Sequence, residues 1–358
     1  RPALSQADRR IVLGQSCPLT GASAQLGVQM SRGARLYFDR LNAQGGVNGR
    51  RIDLRTLDDG YEPDRCKANT DALIQKEDVF ALFGYVGTPT TVAALPQITA
   101  AKVPLVAPFT GAEALREPFN RYVFNVRASY LDETALIVKQ LTELGLTRIA
   151  VFRQNDSYGQ SGLDGVVRAL KERKLEPVAV GTVERNGTDV AAAVQAIVPK
   201  APQAVVQVGA YKGCAAFVRE ARKAGYGGVF YNVSFVGTQA LADELGADAR
   251  GVVISQVMPY PFGTAAAISR EYIDAVKAAG GDATANYSSM EGYVSAKVFA
   301  EGLRRAGNNP TRDSLLTALE SLQRHDLGGY VVNFSARDHR GSSFVELSML
   351  TGDGKVRR

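Results

Sequence analysis

The chain has 358 residues and a mass of 38.3 kDa, room for two domains at roughly 150 residues each. Hydrophobic residues make up 45% and charged residues 22%, which excludes a disordered or low-complexity chain. The 42 basic residues exceed the 36 acidic ones, but they are scattered singly or in pairs such as Arg50-Arg51 and Arg304-Arg305. The excess reads as a slightly basic solvated surface and not as the stripe that nucleic acid requires.

In chain order, Arg10 to Gly14 reads as a first strand, followed by a polar turn from Ser16 to Gly27. Met30 to Leu41 carries apolar residues at helical spacing and stops at Gly45-Gly46. Arg51 to Asp58 alternates as a second strand; a helix over 64–76, a strand over 79–83, a helix over 90–101 and a strand over 103–107 follow. The uncharged run from Val79 to Ala101 is long enough to cross a bilayer. Gly84, Gly87, Pro89 and Pro96 break it into strand, turn and helix instead. Strand and helix alternating every 25 to 30 residues predict a parallel sheet with covering helices.

The pattern pauses over Tyr122 to Tyr130 and restarts. Helices are expected over 131–144, 161–173, 189–198 and 214–224, with strands over 148–152, 177–183, 204–208, 229–233 and 252–256. Three more helices, 269–279, 289–306 and 312–322, precede a tail of short strand-like pieces. The expected fold is therefore α/β, with two doubly wound parallel-sheet lobes. Lobe one is expected over 1–125 and 257–330, and lobe two over 126–256 and 331–358, so that three chain crossings form a hinge. No initiator Met or signal peptide is visible, so the chain reads as a processed product.

The usual catalytic signatures are missing. There is no GxGxxG after a strand, no GxxxxGK[ST], no GxSxG and no HExxH. The only histidines, His325 and His339, fall in polar, turn-rich stretches and are expected in solvated loops. Cys17, Cys66 and Cys214 form no CxxC pair, so a structural zinc site is not expected. No cofactor is expected. The sequons at Asn186, Asn232, Asn286 and Asn333 read as coincidence.

In open α/β sheets ligands sit beyond the carboxyl ends of the strands. Those turns are Ser16 to Gly27, Gly84 to Thr90, Pro108 to Gly111, Asn155 to Gly159, Gly209 to Tyr211 and Ser234 to Gly237. They are rich in Gly, Ser, Thr and Tyr, which offer hydroxyls, aromatic walls and amides at helix N-termini. Taken singly, Thr88, Thr110 and Ser234 could equally be helix caps.

These turns carry a resemblance. PLTGASAQLG (18–27), GARLYFDRLNAQGGVNGR (33–50), DDGYEP (58–63), FGYVGTPTT (83–91), VPLVAPFTG (103–111), QNDSYGQSG (154–162) and SFVGTQAL (234–241) resemble the type I periplasmic binding proteins of ABC transporters, in the leucine/isoleucine/valine-binding branch. The resemblance runs from about Ile11 to Lys355. It implies hinged lobes that close on a solute, a periplasmic or lipoprotein location, and delivery to an ABC permease in the inner membrane. By position it assigns the ligand carboxylate to Gly87, Thr88, Phe109, Thr110 and Gly111. It assigns Tyr158 and Tyr211 to the second lobe's face and Leu26 to the ligand side chain; Tyr85 joins them as a further apolar wall. The expected protein is a monomeric, non-enzymatic receptor for a small carboxylate, with no nucleic-acid partner.

One departure bears on the ligand. Amino-acid binders of this branch put a Glu where Ser234 stands, to pair with the ammonium. A free amino acid would need another acid, such as Asp156 or Glu291. Amino acids are placed ahead on the resemblance, and branched or aromatic acids without an amine are the alternative. The family's disulfide is also altered. Cys17 and Cys66 follow neighbouring strands and are expected to pair, with two separate buried thiols as the alternative; Cys214 is expected as a buried thiol at a helix start. A regulator of the lactose-repressor kind would need an N-terminal helix-turn-helix. Only about ten residues precede the first strand here, so that reading is set aside, and a ligand-sensing domain of a membrane receptor stays as an alternative.

Overall fold

A computed structural model describes residues 9–358; residues 1–8, the start of the expected first lobe, lie outside the described residues. The first lobe is built on five strands, β1 (Ile11–Cys17), β2 (Ile52–Asp58), β3 (Ala81–Phe83), β4 (Leu105–Val106) and β5 (Val123–Phe124). They pair in parallel in the order β2-β1-β3-β4-β5. Helices α1 (Ala24–Ala43), α2 (Pro63–Gln75) and α3 (Thr88–Ala100) are the crossovers. Two buried clusters cover the two faces of this sheet. Leu13, Cys17, Phe38 and Phe83 belong to one, and Cys66, Leu73, Leu82 and Tyr85 to the other.

After β5 the chain crosses into the second lobe through residues 125–129. Helix α4 (Tyr130–Glu143) starts at a capping box in which Ser129 and Asp132 satisfy each other's amides. Strands β6 (Ile149–Gln154), β7 (Val180–Val183), β8 (Ala204–Val208), β9 (Val229–Asn232) and β10 (Val253–Gln256) pair in parallel. Their crossovers are α5 (Ser157–Lys171), α6 (Ala191–Ile197), α7 (Tyr211–Lys223) and α8 (Thr238–Leu245). The β8 run AVVQV is buried throughout, as a strand covered on both faces must be.

The chain returns after β10 to lay α9 (Ala267–Ala279), α10 (Tyr287–Arg305) and α11 (Arg312–Glu320) on the first lobe. Helices α1 and α10 cross at glycines. A Cβ on Gly33 would lie 1.7 Å from the Ser289 carbonyl oxygen, and one on Gly292 would lie 2.1 Å from that of Met30. Only glycine permits that approach. A short hairpin, β11 (His325–Asp326) and β12 (Val331–Val332), follows. The third crossing then leads to β13 (Glu346–Leu350), which pairs antiparallel with β10, and to β14 (Val356–Arg357), which pairs antiparallel with β13 at the sheet edge. The order of that sheet is β14-β13-β10-β9-β8-β6-β7.

Two expectations about the tail differ from the structure. Residues 331–341, read from sequence as lobe two, still pack on β5. Phe334 meets the Phe124 ring edge-on at 5.4 Å, and Asn125 accepts from the Gly341 amide at 2.7 Å. His339 is not a solvated loop residue but only 4% exposed. Its ring stacks on Phe124 at 3.8 Å, its Nδ1 lies 3.0 Å from the Val123 carbonyl, and its Nε2 lies 2.8 Å from Glu320. The polar run around it describes the turn and not the ring, which the fold turns inward.

Candidate ligand-binding site

The carboxyl ends of β1, β3 and β4 face those of β6, β8 and β9 across a seam between the lobes. On the first lobe, Gly87 caps α3 at φ 105°. A Cβ there would come within 2.4 Å of the Tyr61 ring, so the left-handed turn and the close ring both demand glycine. The Thr88 and Thr110 hydroxyls lie 2.5 Å apart, both buried. Because α3 begins at Thr88, its first amides have no partners within the helix and carry its positive dipole end. The Tyr130 hydroxyl is buried beside Thr110 without a hydrogen-bond partner of good geometry. Burial pushes that phenol up to about 12, so it is a donor at neutral pH.

The second lobe sends an aromatic wedge into this surface. Phe235, fully buried, has its ring 5.7 Å from Tyr61, 5.7 Å from Phe109 and 4.7 Å from Tyr158. Polar contacts also cross the seam. The Gln25 amide donates to the Tyr211 hydroxyl at 3.2 Å, and Gln154 donates to the Tyr61 hydroxyl at 3.0 Å. Ser23 donates to Asn186 at 2.7 Å, and Arg185 pairs with Glu62 at 2.9 Å. Two cavities on the seam measure about 10 Å³ and about 80 Å³. Ligand pockets begin at about 300 Å³, so along this seam the two lobes are closed on each other.

At the base of the seam lies a buried charge cluster. Arg127, on the first crossing and 1% exposed, donates to Glu291 through Nε at 3.0 Å and Nη2 at 2.8 Å. Its Nη1 donates to Ser234 Oγ at 2.8 Å and lies 3.7 Å from Glu133. Its guanidinium sits 4.7 Å from the Phe109 ring centre, a cation–π contact. Glu133 Oε1 accepts from the Ser234 amide and from Ser255 Oγ, each at 2.7 Å. Burial works against the Arg127 charge, yet the carboxylates of Glu291 and Glu133 hold its pKa above the ordinary value. Burial pushes both carboxyls up, while Arg127 pulls them back; the forked geometry is that of an ion pair. Arg116, also buried, donates to the carbonyls of Ala112 and Arg127, and burial lowers its pKa to about 10.

Of the residues expected at the site, the fold brings Gly87, Thr88, Phe109 and Thr110 to the seam from one side and Tyr158, Tyr211 and Ser234 from the other. Leu26 reaches across from α1 to Gly237, where a Cβ would lie 2.8 Å from its Cδ2. Gly111 supports rather than lines the seam, its carbonyl accepting from the Tyr130 amide at 2.8 Å. Tyr85 does not join them. It points behind the sheet into the cluster of Cys66, Leu73 and Ile98, with its hydroxyl 2.8 Å from that of Thr70. The expected disulfide is not formed either: Cys17, Cys66 and Cys214 are three buried free thiols. Alternation along β1 sends Ser16 to the α2 face, where Asn69 and Asp59 meet it. Cys17 points to the α1 face instead, near the Gly27 carbonyl. Cys214 is a buried thiol in the first turn of α7, as expected. Arg127, Glu133, Tyr61 and Phe235 were not singled out from sequence for the site. The available signal was a lone charged residue, Arg127, in the otherwise uncharged run YVFNVRASYL.

Two open α/β sheets joined by three crossings, with polar turns facing each other across a seam, define a two-lobed fold of the solute-binding kind. The chain belongs to the periplasmic binding protein family, whose model matches residues 10–355. It is 25% identical over 367 aligned positions to Leu/Ile/Val-binding protein homolog 8 of Brucella abortus (strain 2308), covering 97% of this chain and 89% of that protein. Among solved structures it resembles a possible leucine/isoleucine/valine-binding protein from Rhodopirellula baltica SH 1, at 34% identity and a TM-score of 0.94, over 98% of this chain and 97% of that one. A substrate-binding periplasmic protein from Ralstonia solanacearum matches at 34% identity and a TM-score of 0.92, over 97% and 99% of the two chains. Relatives and fold are those of solute-binding proteins, which are not enzymes. Among the described residues no helix is long and apolar enough to cross a membrane.

Proposed function

We propose that this protein is the periplasmic or lipid-anchored receptor of an ABC importer, a monomer that closes on a small carboxylate-bearing solute and presents it to the membrane permease. The observation that carries this reading is the convergence of the Thr88 and Thr110 hydroxyls at the N-terminus of α3, beside the unpartnered Tyr130 hydroxyl. Hydroxyls and amides at a positive dipole end suit a carboxylate, and charge-assisted bonds of this kind are about twice as strong as neutral ones. Tyr61, Phe109, Tyr158 and Phe235 supply an apolar wall for the rest of the solute once the lobes part.

The proposed hinge consists of the crossings near residues 126, 257 and 342, with the two lobes moving as bodies about them. Membership of an extracytoplasmic family and the leucine/isoleucine/valine-binding relatives support the transport role. Mass spectrometry of solute released from denatured, freshly purified protein tests the ligand class: a carboxylate is expected, and a sugar or polyamine would refute it. Solution scattering tests the closure. Addition of a solute proven to bind is expected to reduce the radius of gyration, and an unchanged curve would refute hinged closing.

A further inference from the structure

Resting on that reading, we infer that the solute is a branched or aromatic carboxylic acid without an ammonium group, and that Ser234 with Arg127 sets this specificity. The geometry at the base of the seam carries the argument. An ammonium enclosed between the lobes needs a carboxylate within hydrogen-bond reach, because an unpaired buried charge is strongly disfavoured. The turn after β9 offers Ser234 there, whose Oγ already accepts from Arg127 at 2.8 Å.

Most acid oxygens that border the seam are committed elsewhere. Both Glu291 oxygens accept from Arg127, at 3.0 and 2.8 Å. One Glu133 oxygen accepts from the Ser234 amide and Ser255; the other is buried, has no hydrogen-bond partner and lies 3.7 Å from Arg127. Asp156 caps α5 through the Tyr158 and Gly159 amides and lies 3.6 Å from Arg185. Glu62 takes Arg185 at 2.9 Å and Asn186 at 3.0 Å. Asp243 is exposed at the mouth of the seam, outside the enclosed base, and accepts from Gln239 through one oxygen at 3.1 Å. An ammonium enclosed at the base would therefore have to break the forked Arg127–Glu291 pair or take the second Glu133 oxygen from beside the guanidinium, and in either case share the site with that cation.

A hydrocarbon or aromatic body makes no such demand. It lies against Phe109, Tyr158 and Phe235, and any acceptor it carries meets the Ser234 hydroxyl, whose oxygen takes the Arg127 N–H and leaves its own proton to donate. The donor-lined base thus tolerates an apolar or acceptor-bearing end and rejects a cationic one.

Calorimetric titration of the wild-type protein with matched pairs tests this directly. The pairs are 3-phenylpropanoate with phenylalanine, 4-methylpentanoate with leucine, and 3-methylbutanoate with valine. In at least one pair the amine-free acid is expected to bind at least a hundredfold more tightly than its amino acid. An amino acid that binds as tightly as its amine-free partner would overturn the inference while leaving the carboxylate receptor intact. Binding by no member of any pair, with sugars or polyamines binding instead, would overturn both. Ser234→Asp adds an acid at the critical position and is expected to narrow the gap at least tenfold. An unchanged gap in that variant would overturn the assignment of the discrimination to Ser234.

Discussion

Replacing Arg127 by Met keeps an unbranched apolar stem and removes the guanidinium. Glu291 then loses both of its bonds, Ser234 Oγ loses its donor, and Glu133 loses the cation 3.7 Å away. The carboxylates are fully or nearly fully buried, at 0% exposure for Glu133 and 3% for Glu291. Removing one partner of a buried pair costs about 3–5 kcal/mol. For a chain of 358 residues, an unfolding entropy of about 2.1 cal/mol/K per residue gives about 0.75 kcal/mol/K, so Tm should fall by about 4–7 °C.

The sign of the pH dependence follows from burial. It pushes both glutamate carboxyls above their ordinary range, and without Arg127 the offset falls to the Ser234 and Ser255 bonds on Glu133 and the Arg116 charge near Glu291. The folded variant then binds protons more readily than the unfolded chain, so its deficit should be largest at pH 7.5 and shrink toward pH 5. Glu291→Leu should cost a similar amount by orphaning Arg127. The double variant should cost less than the sum of the two by about 1–3 kcal/mol. Urea unfolding of the three variants and wild type at both pH values measures this. A loss below about 1 kcal/mol for Arg127→Met, or strict additivity, would refute a tightly coupled pair.

Thr88→Val and Thr110→Val should each weaken solute binding by about ten- to hundredfold, the worth of a charge-assisted bond of about 1.5–3 kcal/mol; full affinity by calorimetry would move the carboxylate elsewhere. Asp59 is raised to about 6, chiefly by burial. Since its folded pKa exceeds the unfolded 3.8, its contribution should fall by on the order of 3 kcal/mol as pH rises from about 4 to above 6. Asp59→Asn should flatten that part of the urea stability profile, and an unaltered slope would contradict the assignment. Thiol labelling of denatured, unreduced protein should count three free cysteines; a count of one would restore the Cys17–Cys66 disulfide.

Much of the architecture was legible because alternating βα segments leave strong local patterns. The buried run of β8 and the glycine stop after α1 are examples. The polar turns at strand ends were legible for the same reason, and they brought Thr88, Thr110, Tyr158, Tyr211 and Ser234 to one seam. Errors arose where one residue of strand parity decides a face. Cys17 points to the α1 face because β1 alternates with a period of two, whereas Tyr85 breaks the alternation of β3: Gly84, at φ 62°, turns it onto the face of Leu82 and away from that of Ala81 and Phe83. Arg127 and Glu291 are 164 residues apart, and no local pattern announces a pair made only by α10 folding back on the first crossing. His339 was misread for a like reason: its neighbours in sequence are polar, while its neighbours in space are Phe124 and Phe119.

A thermal-shift panel on the wild-type protein tests the central claim, a small carboxylate enclosed between the lobes, most directly. Solute at a hundred times its dissociation constant stabilises by about 2.7 kcal/mol, which by the same entropy is about 3–4 °C. Branched or aromatic carboxylates should raise Tm by that amount, while their amides, which lack the anion, should not. Unmoved melting with every carboxylate, alongside a rise with sugars or polyamines, would contradict it.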